Sequence, residues 1–274
     1  MINANVKKPI SVMGVLNVTP DSFFDGGQYV SLQQAVDQAL AMQQAGASII
    51  DVGGESTRPS APFVPVEEEL NRVIPVIEAI RAQTEILISV DTSKPEVMYE
   101  AVRAGANVIN DVRALSQKGA LEAAVSLAEL GVSVCLMHMQ GDPDTMQDKP
   151  RYMSVVDDVF AYLMSKVDRC LLAGIKKDQI WIDPGFGFGK TLQHNLSLLK
   201  HLPRFADTGY PVLVGMSRKS MIGAILDLPV EERLAGSLAL ASIAAINGAS
   251  IVRVHDVNET SQVVKICEAV LAAE

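Results

Sequence analysis

One stretch of the sequence decides the fold: residues 95–111 read PEVMYEAVRAGANVIND. The pattern predicts a helix over 95–102 and a short β-branched strand over 108–110. Between them, Gly105 supplies the left-handed residue that ends a helix, so that the strand begins at once. The strand then ends in two adjacent polar residues, an Asn and an Asp. These features make one helix-to-strand unit with polar side chains at the end of its strand.

The same unit recurs along the whole chain. Ala-Gly-Ala and Asn-Gly-Ala junctions occur again at 45–47 and 247–249, and short β-branched runs alternate with longer helical patterns. Strands are predicted at 10–16, 48–52, 86–90, 108–110, 132–137, 180–182, 212–214 and 251–254. Helices are predicted at 31–44, 66–82, 95–102, 121–130, 155–172 and 231–246. About eight such units allow a parallel sheet to close on itself.

The predicted fold class is α/β: a single (β/α)8 barrel over residues 1–274, with its active site at the C-terminal ends of the strands. An open doubly wound sheet would show the same alternation of helices and strands. The polar motifs of such a sheet would gather at one switch point, whereas here they follow nearly every strand. The length of 274 residues suits one barrel, because a barrel needs roughly 250 residues.

Composition and charge exclude several classes of protein. The net charge of -9 argues against nucleic-acid binding, which needs a basic face. No stretch predicts a signal peptide or a membrane span, and the most apolar run, 238–246, predicts a buried helix. Three widely spaced cysteines, Cys135, Cys170 and Cys267, favour reduced and buried thiols in a cytoplasmic protein over a disulfide framework.

Residues that could carry chemistry follow most of the predicted strands. These segments read NVTPDSFFDGG at 17–27, DVGGESTRP at 51–59, DTS at 91–93, ND at 110–111, DPGFGFGKT at 183–191, SRKS at 217–220 and RVHD at 253–256. A single Asp after a strand is usually a helix N-cap. Several strands in a row that end in Asn or Asp, however, bring these side chains together at the barrel mouth. Converging carboxylates and amides can bind the polar edge of a heterocycle.

The glycine-rich segment 183–191 is not a phosphate loop. A Walker motif needs glycine at position 184, where this chain has proline, and the dinucleotide pattern needs a different glycine spacing. Phe186 and Phe188, which are interleaved with the glycines, instead predict a platform for a flat ring.

Two segments predict anion sites in this acidic protein. At 217–220, two hydroxyls and two cations precede a helical turn, which favours a carboxylate or phosphate site. Arg253 and His255 lie on the same face of the last strand, so their cations point the same way. His138, between two methionines, is interpreted as structural.

The ordered set of these motifs resembles the dihydropteroate synthase family. The match runs from about Met13 to the last helix and includes the segments 17–23, 51–59, 183–190, 217–220 and 253–256. Phe24 stands where many relatives carry a small polar residue. The resemblance implies a (β/α)8 transferase that joins dihydropterin pyrophosphate to 4-aminobenzoate in folate biosynthesis and is inhibited by sulfonamides. It also implies Mg2+ as a cofactor and a homodimer.

The resemblance further implies roles for individual residues. The pterin is expected to contact Asp91, Asn110, Asp183, Lys219 and Arg253. The pyrophosphate is expected to contact Asn17, Arg253 and His255, with Asn17 also a Mg2+ ligand and Asp51 supporting this cluster. The aminobenzoate is expected to contact Thr57, Arg58, Pro59, Phe188 and Ser220. The residues implied in catalysis are Asp25, Lys219 and Arg253.

Two other functions fit part of the sequence. A pterin-using methyltransferase on the same barrel would share the Asp and Asn contacts, but it does not account for the segments 56–59 and 217–220. A pterin-binding paralogue without turnover should have lost Asn17, Asp25, Lys219 or Arg253, and all four are present. Release of pyrophosphate from a bound pterin pyrophosphate would distinguish these cases.

Overall fold

The fold is an eight-stranded parallel sheet that curls into a barrel. The computed structural model describes residues 9–18, 27–56, 63–141, 146 and 150–273. The strands are β1 Ser11–Asn17, β2 Ile49–Gly53, β3 Leu87–Asp91, β4 Val108–Asp111, β5 Ser133–Met137, β6 Ile180–Asp183, β7 Leu213–Val214 and β8 Ile251–Val254. They pair in the order β6-β5-β4-β3-β2-β1-β8-β7. A parallel bridge between Ile182 and Val212 joins the two edges, which confirms the predicted barrel.

Helices alternate with these strands. They are α1 Gly27–Gln44, α2 Val66–Arg81, α3 Pro95–Ala104, α4 Ala120–Ala128, α5 Val155–Leu172, α6 Leu192–Lys200, α7 Leu202–Ala206, α8 Ser220–Leu226, α9 Leu234–Ile246 and α10 Val257–Ala272. Two 3-10 turns lie at Lys177–Gln179 and Val230–Glu232. The predicted strands differ from the observed ones by one residue at most at either end. Helices α6, α7, α8 and α10 were not among the helices with predicted bounds.

The junction glycines explain where the helices end. Gly46, Gly105 and Gly248 have φ angles of +107°, +117° and +95°, which favour glycine. A Cβ atom on Gly46 would lie 2.2 Å from the Ser261 hydroxyl oxygen, so space also requires glycine there. The predicted left-handed helix stops are therefore confirmed at all three positions.

Alternation along the strands separates an outer apolar layer from an inner one. Outward side chains such as Leu16 and Ile88 pack against the helices, and burial of each contributes about 1.5–3 kcal/mol. Inward side chains fill the lower barrel with a second apolar cluster, made of Met13, Ile49, Cys135, Leu213 and Ile251. All three cysteines are free and buried, as predicted. The polar residues of the inward face are concentrated at the C-terminal end of the strands.

Helix α9 departs from the prediction of a buried helix. Leu240 and Ala244 are buried, but Ile243 and Ile246 are 45% and 53% exposed. The helix contains no charged residue on any side. Within the described ranges, no helix has the length and apolar content needed to span a membrane.

Candidate active site

Four neighbouring strands bring polar groups to one end of the barrel. In the sheet register, Asn17 pairs with Gly53, Gly53 with Asp91, and Asp91 with Asn110. The predicted convergence of strand ends is therefore confirmed. Asp51 is not the last residue of its strand, because β2 continues to Gly53 in its pairing with β1 and β3. Asp51 lies one layer deeper in the barrel than the others.

Arg253 joins these strands in one hydrogen-bonded network. Its Nε atom donates to Asp51 Oδ2 at 2.6 Å, and its Nη2 atom donates to Asp91 Oδ2 at 2.9 Å. The Asn110 amide also donates to Asp51 Oδ2, at 3.2 Å. Burial opposes the charge of the guanidinium, but Asp51 and Asp91 outweigh it and raise the pKa of Arg253. Removing either side of such a buried pair leaves an uncompensated charge, which is strongly destabilising.

Two buried carboxyl groups at the C-terminal ends of β3 and β6 are hard to ionise. Burial raises the pKa of Asp91 to about 7, against the opposing charge of Arg253. Burial also raises the pKa of Asp183, while the Gly185 amide, which donates to Asp183 Oδ1 at 2.7 Å, lowers it. These groups therefore gain from a ligand that donates hydrogen bonds to their ionised forms.

Lys219 supplies a cation beside these carboxyl groups. Its ammonium group donates to the Phe186 carbonyl oxygen at 2.5 Å and lies 4.6 Å from the centre of the Phe188 ring. A Cβ atom on Gly215 would be 3.7 Å from Arg253 Cβ and 4.0 Å from Lys219 Nζ, which places both cations around this glycine. Burial lowers the pKa of Lys219 to about 8, although Asp183 opposes the change.

His255 is oriented by a serine that the sequence did not single out as its partner. The backbone N–H of His255 donates to the Ser217 hydroxyl at 3.2 Å, and the same hydroxyl lies 3.1 Å from His255 Nδ1. An oxygen that accepts from the backbone still has its own proton to donate to Nδ1. In a neutral ring this leaves the proton on Nε2, which can then donate to an anion.

Two sequence interpretations are wrong in detail. Phe186 is fully buried in the outer apolar layer, so only the half-buried Phe188 can serve as a ring platform. Arg218 was grouped with Lys219 as a cation of an anion site. Its guanidinium instead binds both oxygens of Asp256, at 2.7 and 2.9 Å. Lys219 is therefore the cation of this segment that faces the barrel mouth, and Ser220 begins α8 at the exposed rim.

Asp25, Thr57, Arg58 and Pro59 lie outside the described residues, as does Phe24. The described part of the second loop is anchored at Glu55. Its Oε2 atom accepts from Lys94 Nζ at 2.5 Å, and Lys94 also binds the fully buried Glu69. This ionic cluster was not predicted from the sequence, because its members come from three separate segments.

Comparisons with known proteins agree with the barrel fold. A family model described as pterin binding enzyme matches residues 13–255, so the chain belongs to that family. A dihydropteroate synthase of Escherichia coli K12 is 59% identical over 263 residues, which is 96% of this chain and 92% of that protein. Within the pterin binding enzymes, the chain therefore belongs to the dihydropteroate synthases, which are transferases of folate synthesis.

Solved structures give the same result. A Yersinia pestis dihydropteroate synthase in a sulfonamide drug complex is 51% identical, with a TM-score of 0.91. The superposition covers 97% of this chain and 95% of that chain. The Xanthomonas albilineans dihydropteroate synthase in complex with 7,8-dihydropteroate is 47% identical with a TM-score of 0.88, at the same coverage of both chains.

Proposed function

We propose that the chain condenses 6-hydroxymethyl-7,8-dihydropterin pyrophosphate with 4-aminobenzoate, giving 7,8-dihydropteroate and pyrophosphate at the polar end of the barrel. The observation that carries this proposal is the Arg253 network, which ties Asp51, Asp91 and Asn110 together next to Lys219. Carboxylate and amide groups suit the donor-rich edge of a pterin, and cations suit its leaving diphosphate.

The pterin ring would lie among Asp91, Asn110 and Asp183. An ionised carboxylate accepts two hydrogen bonds from the amino-pyrimidinone edge, and the Asn110 amide can both donate and accept. Lys219 would donate to the ring carbonyl. The raised pKa of Asp91 and the lowered pKa of Lys219 mean that both groups are poorly solvated, so a bound pterin replaces missing water contacts.

The diphosphate would be held by Asn17, Arg253 and His255. In the proposed course, the C–O bond to the diphosphate breaks first and its electron pair leaves with the oxygen. Arg253 stabilises the departing charge. The pterin ring stabilises the cation that remains, and a nearby carboxylate, which we assign to Asp25, favours it further.

The aminobenzoate would then enter beside the pterin. Phe188 and Lys219 would flank its ring, Ser220 at the start of α8 would bind its carboxylate, and Thr57, Arg58 and Pro59 would complete the site. The neutral aniline nitrogen attacks the cation, forming the C–N bond, and its proton is lost afterwards. A strong general base is not needed, because the attacking amine carries a free electron pair.

The chemistry of Asn17 fits Mg2+. Its side-chain amide oxygen is a hard ligand, and Mg2+ usually keeps several waters and substrate phosphates in its coordination sphere. Among the residues that the structure describes, no group of three or more His, Cys, Asp or Glu side chains could hold a metal. From the chemistry of its amide oxygen, we propose that Asn17 would hold the ion together with the diphosphate. When bound, the ion would neutralise charge on the leaving group.

We also propose that the enzyme is a cytoplasmic homodimer whose chain forms one domain. Eight of the fifteen exposed large apolar side chains in the described residues lie between Ile225 and Leu271, seven of them on the last three helices and one, Val230, in the 3-10 turn before α9. The exposed residues of α9 include Ile243 and Ile246, although a helix that is apolar all round is normally buried. A second copy of the chain would cover this face.

A single assay tests the proposed reaction. Purified protein with Mg2+ and both substrates is expected to form dihydropteroate and to release one pyrophosphate for each product. A metal chelator should stop the reaction until Mg2+ is restored, and a sulfonamide should compete with 4-aminobenzoate. Folded protein that forms no dihydropteroate under these conditions would disprove the assignment.

A further inference from the structure

Lys190 is a buried lysine that the proposed reaction does not use. It is 3% exposed, and its ammonium nitrogen lies 2.8 Å from the Gly185 carbonyl oxygen and 2.9 Å from that of Phe188. On the other side it meets His138, at 3.0 Å from Nδ1 and 3.2 Å from the carbonyl oxygen. A lysine is rarely buried so fully without an ionic partner in hydrogen-bond contact. Among the residues that the structure describes, every hydrogen-bond partner of its ammonium group is a neutral acceptor.

The backbone around Lys190 is built to present these carbonyls. Gly185, Gly187 and Gly189 have φ angles of +71°, +83° and +63°, and they coil the segment between β6 and α6 around the ammonium group. The coil also presses against the segment after β5, because a Cβ atom on Gly185 would lie 1.9 Å from the His138 carbonyl oxygen. Hydrogen bonds from Lys190 therefore hold this segment, whereas a strand is held by a regular ladder of backbone hydrogen bonds.

The segment held by Lys190, residues 185–188, also contacts the Lys219 ammonium group. Two of the carbonyls that Lys190 binds, those of Gly185 and Phe188, lie on either side of Phe186, whose own carbonyl accepts from Lys219. The second of them belongs to Phe188, whose ring lies beneath the Lys219 ammonium group. A change in the backbone between residues 185 and 188 would therefore move both contacts that aim Lys219 into the barrel mouth.

We propose that Lys190 is a positioning residue for the reaction: by holding the carbonyls of Gly185 and Phe188, it fixes the surface that directs Lys219 at the pterin. The proposal rests on the proposed function, since it gives Lys219 a substrate contact.

The role of Lys190 does not depend on its charge. Burial lowers the pKa of Lys190 to about 7, with Lys219 adding to the effect and Asp183 opposing it, while burial keeps His138 neutral by lowering its pKa to about 3. The charged lysine offers three donors and the neutral one offers two. Either form can serve the two carbonyls.

Arg81 provides a matched control at the opposite end of the barrel. Its guanidinium also binds loop carbonyls, those of Thr84, Ile86 and Gly105. A barrel keeps its chemistry at the other face, so this cation serves stability alone. Arg81→Met and Lys190→Met should therefore both lower the melting temperature, and only the second should change ligand binding.

The decisive experiment is a double-mutant cycle on the affinity for dihydropterin pyrophosphate, measured by calorimetry well below the melting temperature of every variant. We expect Lys190→Met to weaken binding about tenfold and Arg81→Met to leave it unchanged. In a Lys219→Ala background, Lys190→Met should cause no further loss, because it acts through Lys219. Additive losses, or an unchanged affinity in Lys190→Met, would overturn the proposal.

A milder variant covers the case in which Lys190→Met does not fold. His138→Phe keeps a ring against Tyr162, whose centroid lies 4.9 Å away, and removes the ring nitrogens, including the Nδ1 atom that contacts Lys190. We expect a smaller loss of affinity that also vanishes in the Lys219→Ala background, and no loss would refute the role. The wild-type assay separates the two proposals. If wild type forms no dihydropteroate, the proposed function fails. If wild type forms dihydropteroate but the losses of affinity in the double-mutant cycle are additive, only the role proposed for Lys190 is refuted.

Discussion

Asp183 offers a direct test of the pterin contact. Asp183→Asn replaces an acceptor pair with one acceptor and one donor, so a donor on the pterin would face a donor. We expect the affinity for a dihydropterin without diphosphate to fall by roughly 10- to 100-fold, since hydrogen bonds to charged groups contribute about 1.5–3 kcal/mol. Asp178→Asn, at an exposed position before β6, is the control and should bind normally.

Wild type and Asp183→Asn should also differ in how their affinity for the dihydropterin depends on pH. Burial raises the pKa of Asp183, so the carboxylate is lost at a higher pH than in an exposed Asp. Because the carboxylate is the form that accepts both hydrogen bonds, wild-type affinity should fall as the solution is acidified through this pKa. The Asn variant cannot titrate there and should lose less. Calorimetry across pH measures both, and equal affinities for wild type and Asp183→Asn at neutral pH would refute the contact.

Single residues differ in how far the sequence could predict them. Asn110, Asp183 and Arg253 were found because each lies at or next to a strand end, where register alone brings side chains together. Lys190 was quoted in a motif but given no role, since its partners are backbone carbonyls that become available only after three glycines turn the chain. Ser217 was missed as the partner of His255 for a similar reason, because β7 and β8 must pair first.

The segment between β6 and α6 needs glycine at positions where the backbone is left-handed or closely approached. Gly185→Ala adds a methyl group 1.9 Å from the His138 carbonyl oxygen, at a φ of +71°. Gly174→Ala is the matched control: its φ is +106°, and nothing lies within 4 Å of the added atom. In both variants the free energy of unfolding should fall by about 1–2 kcal/mol, because a side chain disfavours the left-handed backbone. Gly185→Ala should lose roughly 2 kcal/mol more from the clash.

Urea unfolding measures this difference, and the aminobenzoate KM provides a second readout. Gly185→Ala should raise that KM, because the Phe188 ring and the Phe186 carbonyl that contacts Lys219 move with the segment. Gly174→Ala should leave the KM unchanged. Equal losses of stability in the two variants would contradict the close approach of the two backbones.

Helices and strands were more predictable than the segments that join them. Strand bounds were predicted closely because β-branched runs are short and end in polar residues or glycine. The short helices α7 and α8 had no predicted bounds, since five and seven residues are too few to show a helical period. The conformation of residues 183–190 could not be predicted at all, because the three glycines allow many backbones and one buried lysine selects among them.

Among the residues that the structure describes, helices α9 and α10 expose an apolar face, and the sequence pattern does not show that this face is uncovered. An apolar helix has the same pattern whether its own chain or another chain covers it, so α9 was interpreted as buried. In the structure its exposed residues, Ala235, Ala239, Ile243 and Ile246, form one stripe along the helix. The neighbouring α10 exposes Ile266 and Val270, at 68% and 63%. Large exposed apolar patches of this kind mark interaction sites.

Ile243→Glu tests whether a second copy of the chain covers this face. A stable dimer buries about 800 Å² on each partner, and a carboxylate placed inside an apolar interface must lose its water without gaining a partner. We therefore expect wild type to have the mass of a dimer by light scattering and Ile243→Glu to have the mass of a monomer. Leu172→Glu, on the 89% exposed end of α5, should remain dimeric. If wild type has the mass of a monomer, the proposed dimer is wrong. If Ile243→Glu stays dimeric at low concentration, the dimer contact lies elsewhere.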